Sequence, residues 1–135
     1  MQAATPTAPA SSKQLWAGRI MSAVPILFLL FDSVIKLMKI DAVVKGFREL
    51  GYSPDIAVGI GTLLLVCVIL YAIPQSSVLG AILLTAYLGG AVATQVRVGN
   101  PLFSHVLFPT YVGALIWGGL YLREGRLRAL LPLRN

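Results

Sequence analysis

Asp32 and Lys36 stand four residues apart inside an otherwise apolar stretch, with the acid on the N-terminal side. On a helix this order puts a carboxylate and an ammonium on one face in the favourable sense for an ion pair. A charged group near the centre of a bilayer costs about 2.5–3.5 kcal/mol even on lenient insertion scales. Lys36 can reach a membrane border with its long stem, but the shorter Asp32 lies about 6 Å deeper at helical rise and must face protein. Further along, Thr94, Gln95, Arg97, Asn100 and His105 fall within twelve positions of one another around the end of another apolar run. These residue types offer acid–base chemistry, hydrogen bonding to a small polar group, or a structural charge network. They do not offer a metal centre: zinc would need a Cys/His set, and the chain has one Cys and one His. A bis-histidine haem within one chain is excluded for the same reason. No phosphate-binding glycine loop and no Ser–His–Asp order occur, and Gly89-Gly90 sits inside a helical run, where it reads as packing.

The elements that position these residues follow from composition. Of 135 residues, 57% are apolar and 12% charged, with mean hydropathy +0.82. A soluble domain carries about 25% charged residues, so this chain is expected to be membrane-embedded, with the lipid bilayer as its first partner. Four apolar spans are predicted, near 15–38, 56–73, 78–96 and 102–122, each long enough to cross a hydrocarbon core of about 30 Å. The fold class is all-α, a membrane-embedded antiparallel four-helix bundle. Residues 1–12, small, polar and Pro-containing, read as a disordered tail, and 13–135 as the single four-span domain. A cleaved signal peptide is disfavoured, because the tail holds one Lys and no small-x-small site follows the apolar centre of the first span. Pro25 is expected to kink that span.

Local signals mark the connections. Residues 39–52 place Ile40, Val43, Val44 and Phe47 at helical spacing, which fits either an interfacial amphipathic helix or a packed connector. Ser53-Pro54-Asp55 and Asn100-Pro101 read as cap plus first-turn Pro, and Gln75-Ser76-Ser77 as a capped tight turn. In the third span Ala81, Thr85, Gly89 and Ala93 repeat every fourth residue, with Ala86, Gly90 and Thr94 beside them. Small residues at that spacing let helices approach closely in lipid, which places the third span at the centre with Gly89, Gly90, Ala86 and Ala93 at its contacts. Ala57 with Gly61, and Ala114 with Gly118, offer grooves on the second and fourth spans.

Four spans put both termini on one side, with six basic residues there against five opposite, a slight bias toward cytoplasmic termini. Trp16, Tyr71, Trp117 and Tyr121 suit an aromatic belt on the terminus side. Net charge is +6, yet no basic stripe with interleaved aromatics exists, so nucleic acid is not a partner. Cys67 is alone and pairs with nothing in the chain. The same connectivity brings Asp32, Lys36, Thr94, Gln95, Arg97, Asn100 and His105 to the leaflet opposite the termini. Arg97, with its planar fork, is the expected partner of Asp32. Three readings of this cluster stand: a network that pins the bundle, a site for a small amphipathic molecule such as a quinone headgroup, and a path for protons or ions.

The stretches LFLLFDSVIKL, ELGYSP, LYAIPQSSVLGAILLTAYLGGAVATQVRVGNPLFSHVLFP and WGGLYLREGRLRALLP resemble the DoxX-like family of small bacterial four-helix membrane proteins. The resemblance covers about Trp16 to Arg134, with LGAILLTAYLGGAVAT its most specific part. The family pattern carries His in a T-H-x-R-V-G context where this chain has Gln95, so no histidine role transfers to that position. The resemblance implies fold and location in the bacterial inner membrane. Through the wider superfamily it also points toward quinone-linked redox subunits and toward a chaperone role, with a membrane or soluble redox protein, or a second copy of the chain, as partners. Against catalysis by this chain alone stands the lack of a redox-active Cys pair or an evident cofactor ligand set.

Overall fold

The structure, a computed structural model, describes residues 12–130. The expected tail of residues 1–12 therefore lies outside the described residues except for Ser12, which opens the first helix. Helix α1 runs Ser12–Met38, continuous through Pro25, and α2 is the short Asp41–Glu49. A 3-10 turn, Pro54–Ile56, leads into α3 (Ala57–Ala72), and another, Pro74–Ser76, into α4 (Ser77–Arg97). A π-helical turn, Leu102–Val106, leads into α5 (Phe108–Arg123), and α6 (Gly125–Leu130) ends the described chain. Four of these stretches are long and apolar enough to cross a membrane: Ser12–Met38, Pro54–Ala72, Pro74–Arg97 and Leu102–Arg123. No strand occurs among the described residues.

The four long helices form an antiparallel square. Helix α1 packs on α3 and α5, and α4 packs on the same two from the opposite corner. Leu29, Leu64, Val68, Tyr71, Leu84, Ile116 and Leu120 fill the centre. Outside, Leu27, Phe31, Leu63, Ile82 and Phe103 are more than half exposed, an apolar exterior that needs lipid rather than water as its solvent.

Helix contact rests on glycines outside the third-span stripe. A Cβ at Gly119 would collide with Ser22 and lie 2.9 Å from Gly18 O, and one at Gly18 would lie 2.9 Å from Gly119 O, so α1 and α5 touch backbone to backbone. A Cβ at Gly61 would lie 2.9 Å from Lys36 Cβ and 3.1 Å from Ser33 O, which draws α3 against α1. Gly80 is pressed on the Tyr71 backbone where α3 turns into α4.

By contrast Ala86, Gly89, Gly90 and Ala93 are exposed, and nothing lies within 4 Å of a Cβ built at Gly89 or Gly90. This corrects their assignment to helix contacts, and α4 is less buried than α3 or α5. The reason is register. A four-residue spacing drifts about 40° per step on a 3.6-residue helix, so a stripe that starts in the core at Ala81 has rotated outward by Ala93. The inward face is Ser77, Gly80, Ala81, Leu84 and Leu88. Of the other expected grooves, Ala57 and Gly61 are buried, Gly118 rests on Met21, and Ala114 is exposed.

The turns use their polar side chains differently from expectation in two places. Ser53 does accept the Asp55 N–H (3.3 Å). Between α3 and α4, however, the serines serve the end of α3: Ser76 Oγ donates to Leu70 O (2.7 Å) and Ser77 Oγ to Tyr71 O (2.5 Å). Asn100 caps nothing; its amide donates back to Gln95 Oε1. Tyr71 is not part of an interfacial belt but fully buried. Its hydroxyl donates to Ile116 O (2.6 Å) and lies 2.9 Å from Ser22 Oγ, which also accepts from Arg123 Nε (3.0 Å).

Gly119→Ala is expected to lower stability in detergent by about 1–3 kcal/mol, because its methyl meets backbone that cannot retreat. Gly89→Ala should be neutral or stabilising by up to about 1 kcal/mol, from helix propensity alone. Thermal unfolding of the two variants side by side checks the assignment of contacts.

Candidate functional site

Toward the leaflet opposite the termini the interior of the bundle is not filled. A cavity of about 540 Å³ opens there, walled by all four spans and roofed by the α2 region. Helix α1 contributes Phe28, Leu29, Asp32 and Lys36, and α3 with its leading turn contributes Ile56, Ile60 and Leu63. Helix α4 supplies Tyr87, Leu88, Gly90, Ala91, Thr94 and Gln95, and α5 supplies Phe108, Pro109 and Val112. Phe47, Leu50 and Tyr52 close the top. The wall is thus mainly aliphatic and aromatic, with its polar groups gathered at one end.

Asp32 and Lys36 form that end. Lys36 Nζ donates to Asp32 Oδ2 along one face of α1, and the side chains are 14% (Lys36) and 27% (Asp32) exposed. The pair neutralises itself within one helix while keeping free lone pairs and N–H donors toward the cavity. Thr94 Oγ1 donates to Gly90 O (2.9 Å) and lies 3.0 Å from the Tyr52 hydroxyl.

Arg97 is not the partner of Asp32. Its Nη2 donates to Leu50 O (2.6 Å), and its guanidinium lies 5.5 Å from the centre of the Tyr52 ring. Arg97 comes nine residues after the buried Leu88, about half a turn away from the inward face of α4. From there it reaches the end of α2, whose exposed carbonyls carry the negative end of the helix dipole. His105 also lies apart. It is exposed, with Nδ1 2.8 Å from Ser104 Oγ, and the inward residues at that end of the last span are Val106, Pro109 and Val112. The π-helical turn sets that phase, which an α-helical count from Asn100 does not capture. Of the seven expected cluster residues, Asp32, Lys36, Thr94 and Gln95 line the cavity; Asn100 stands behind Gln95, and Arg97 and His105 lie outside it.

The sequence reading did not single out Tyr52, Tyr87, Phe28 or Phe108, and it placed Phe47 only on the apolar face of residues 39–52. Aromatic residues are common in apolar runs, and no spacing distinguishes those that face a cavity from those that face lipid. Helix α2 did carry a usable signal. Val43 and Phe47 are buried against Ala57, with Ile35, Ile40 and Ile60 around them, while Asp41, Lys45, Arg48 and Glu49 point outward. It is a packed connector whose polar face is free for the membrane surface. Positive-φ residues bound it, Lys39 at 49° and Gly51 at 82°. Gly51 permits the sharp exit that lets Tyr52 fold back over the cavity.

Asp32→Ala is expected to cost about 1–3 kcal/mol, since it strands a half-buried ammonium in an apolar wall. Lys36→Met on that background should recover part of the loss. A double-mutant cycle in detergent should give a coupling of about 0.5–3 kcal/mol for Asp32 with Lys36 and near zero for Asp32 with Arg97.

Comparison with known proteins gives one match. No curated protein and no solved structure matches the chain. The profile of the DoxX-like family matches residues 20–119. That stretch takes in α2, the second and third spans, most of the first and fourth, and every residue that lines the cavity. The protein is a multi-pass membrane protein of the DoxX-like family.

Proposed function

We propose that the protein binds a small amphipathic molecule in the intramembrane cavity, with a quinone as the leading candidate, and so supports a membrane redox complex. One observation carries this reading: an apolar, aromatic-lined cavity of about 540 Å³ ends in a Lys36–Asp32 pair. Small-molecule sites typically measure about 300–1,000 Å³ and combine apolar walls with a few placed polar groups. The pair offers a donor and an acceptor together, which suits a neutral head such as a quinone carbonyl or hydroxyl. Asp32, Lys36, Thr94 and Gln95 are the binding residues in this reading, and Arg97 acts indirectly by holding the roof. Electron transfer would belong to a partner protein, since this chain's side chains supply no redox group of their own to the cavity.

A second reading is a non-enzymatic scaffold, assembly factor or chaperone. Its support is that Asp32 is already neutralised by a lysine of its own helix, as in a purely structural pair. For orientation, Lys36 belongs to the cavity wall, which leaves four basic residues on its side against six on the terminus side. This favours cytoplasmic termini in the bacterial inner membrane.

Mass spectrometry of the protein purified in mild detergent tests the main reading. The wild type should retain one amphiphile through purification. Asp32→Asn with Lys36→Met should lose it while still unfolding in a single cooperative transition, lowered by no more than loss of the bound molecule accounts for. Equal retention by both, or none by the wild type, would leave the scaffold reading in its place.

A further inference from the structure

The walls of the cavity are unequal, and their differences define a way in. Above, the roof is latched to the bundle: Arg97 Nη2 holds Leu50 O at 2.6 Å and the Tyr52 hydroxyl lies 3.0 Å from Thr94 Oγ1. Between α1 and α5 the Phe28 and Phe108 rings stack edge to face with centroids 5.3 Å apart. Between α1 and α3 the approach at Gly61 leaves 3.1 Å from its Cβ position to Ser33 O. Between α4 and α5 the Cβ position of Gly113 lies 3.7 Å from Leu88 Cδ1.

The seam between α3 and α4 differs in the small residues on one of its edges rather than in exposure, since the paired Phe28 and Phe108 are themselves 41% exposed. Ile56 and Leu63 line the cavity and yet are 40% and 56% exposed. Seven residues apart, they stand on one flank of α3, two turns from each other. Across from them Gly90 and Ala91 also line the cavity, and no atom lies within 4 Å of a Cβ built at Gly90. Two large side chains on one edge thus face a glycine–alanine step on the other. The opening falls between stretches of α3 and α4 that are long and apolar enough to span a membrane. Tyr87 stands one turn before Ala91 inside the same seam.

We infer that this seam is a lateral portal through which a single-chain, tailed bilayer amphiphile enters. Its head hydrogen-bonds the Asp32–Lys36 pair, and its tail leaves between Leu63 and Gly90 into the lipid. The inference rests on the reading of the cavity as a ligand site and adds the class of ligand, its direction and its route. A water-soluble ligand would have to lift α2 against its latch; a tailed one already dissolved in the bilayer does not. Gly90 owes its place to this opening, since no helix contact at that position demands a glycine.

The test uses the full chain in nanodiscs of phosphatidylcholine and phosphatidylglycerol, with a decyl-tailed benzoquinone carrying a diazirine in its tail as the probe. After illumination, peptide mass spectrometry maps the labelled residues. Saturable labelling is expected in segments 56–63 and 87–94. Gly90→Phe should fill the portal and lower the labelling rate about tenfold, the scale on which obstructed access changes association. Gly89→Phe is the control, because Gly89 is equally open but does not line the cavity; it should label at the wild-type rate. Leu63→Trp narrows the portal from the other edge and serves if Gly90→Phe does not fold, as judged by its unfolding temperature. Labelling concentrated at Phe28 and Phe108 or on α2 would overturn the portal, as would wild-type rates in both portal variants, while the ligand-site reading survived. Absence of saturable labelling in the wild type would overturn that reading and the portal with it.

Discussion

The bundle depends on close backbone contact between its helices at a few glycines. Near the termini, Gly18 and Gly119 bring α1 and α5 into backbone contact, and Gly80 does the same for the α3–α4 turn. In lipid no hydrophobic force draws helices together, so such close packing is what holds them. Toward the other leaflet the facing positions are occupied by Phe28, Tyr87 and Phe108. These side chains hold the backbones apart without filling the space between them. At the cavity end α1 and α3 stay in close contact through Gly61 against Ser33 and Lys36, and the cavity lies beside that contact with α4 and α5 as its further walls. The tight end is also tied by polar bonds, with Tyr71, Ser22 and Arg123 linking α3, α1 and α5.

A charge in such a setting needs an account of its cost. Asp32 meets it within α1, through Lys36 one turn on, rather than by reaching across to Arg97. A same-helix pair forms whatever the neighbouring helices do, so it leaves those helices free to spread. A cross-bundle Asp32–Arg97 bridge would have drawn α1 and α4, the diagonal corners of the square, into the space that the cavity occupies. Arg97 is spent instead on the carbonyl end of α2 and on the Tyr52 ring. This division of the two cations gives one to the wall of the cavity and one to its roof.

Helix α2 links these two parts. Its apolar face, Val43 and Phe47, packs on Ala57 at the head of α3. Left-handed residues at both ends let it lie across the bundle instead of extending either span. The cavity is thereby roofed by a short helix, while Ile56 and Leu63 on its α3 side are exposed.

Much of this architecture is written locally. Four spans, their antiparallel order and their membrane location follow from apolar runs, prolines and turn residues, each acting within a few positions of chain. The Asp32–Lys36 pair was legible for the same reason: four residues on one helix share a face whatever surrounds them. What sequence did not determine was rotation. Each long helix is apolar nearly all round, so its pattern does not say which side meets protein and which meets lipid. Gly89 and Gly90 looked like packing residues, yet Gly89 is exposed and Gly90 lines the cavity, while Gly18 and Gly119 carry the contact of α1 with α5. Arg97 and His105 lie at the right leaflet but at the wrong angle. Only the packed tertiary structure decides such angles, because in a bilayer they are chosen by steric fit between neighbouring backbones. Van der Waals contact of that kind leaves no periodic mark on a sequence whose inner and outer faces are equally apolar.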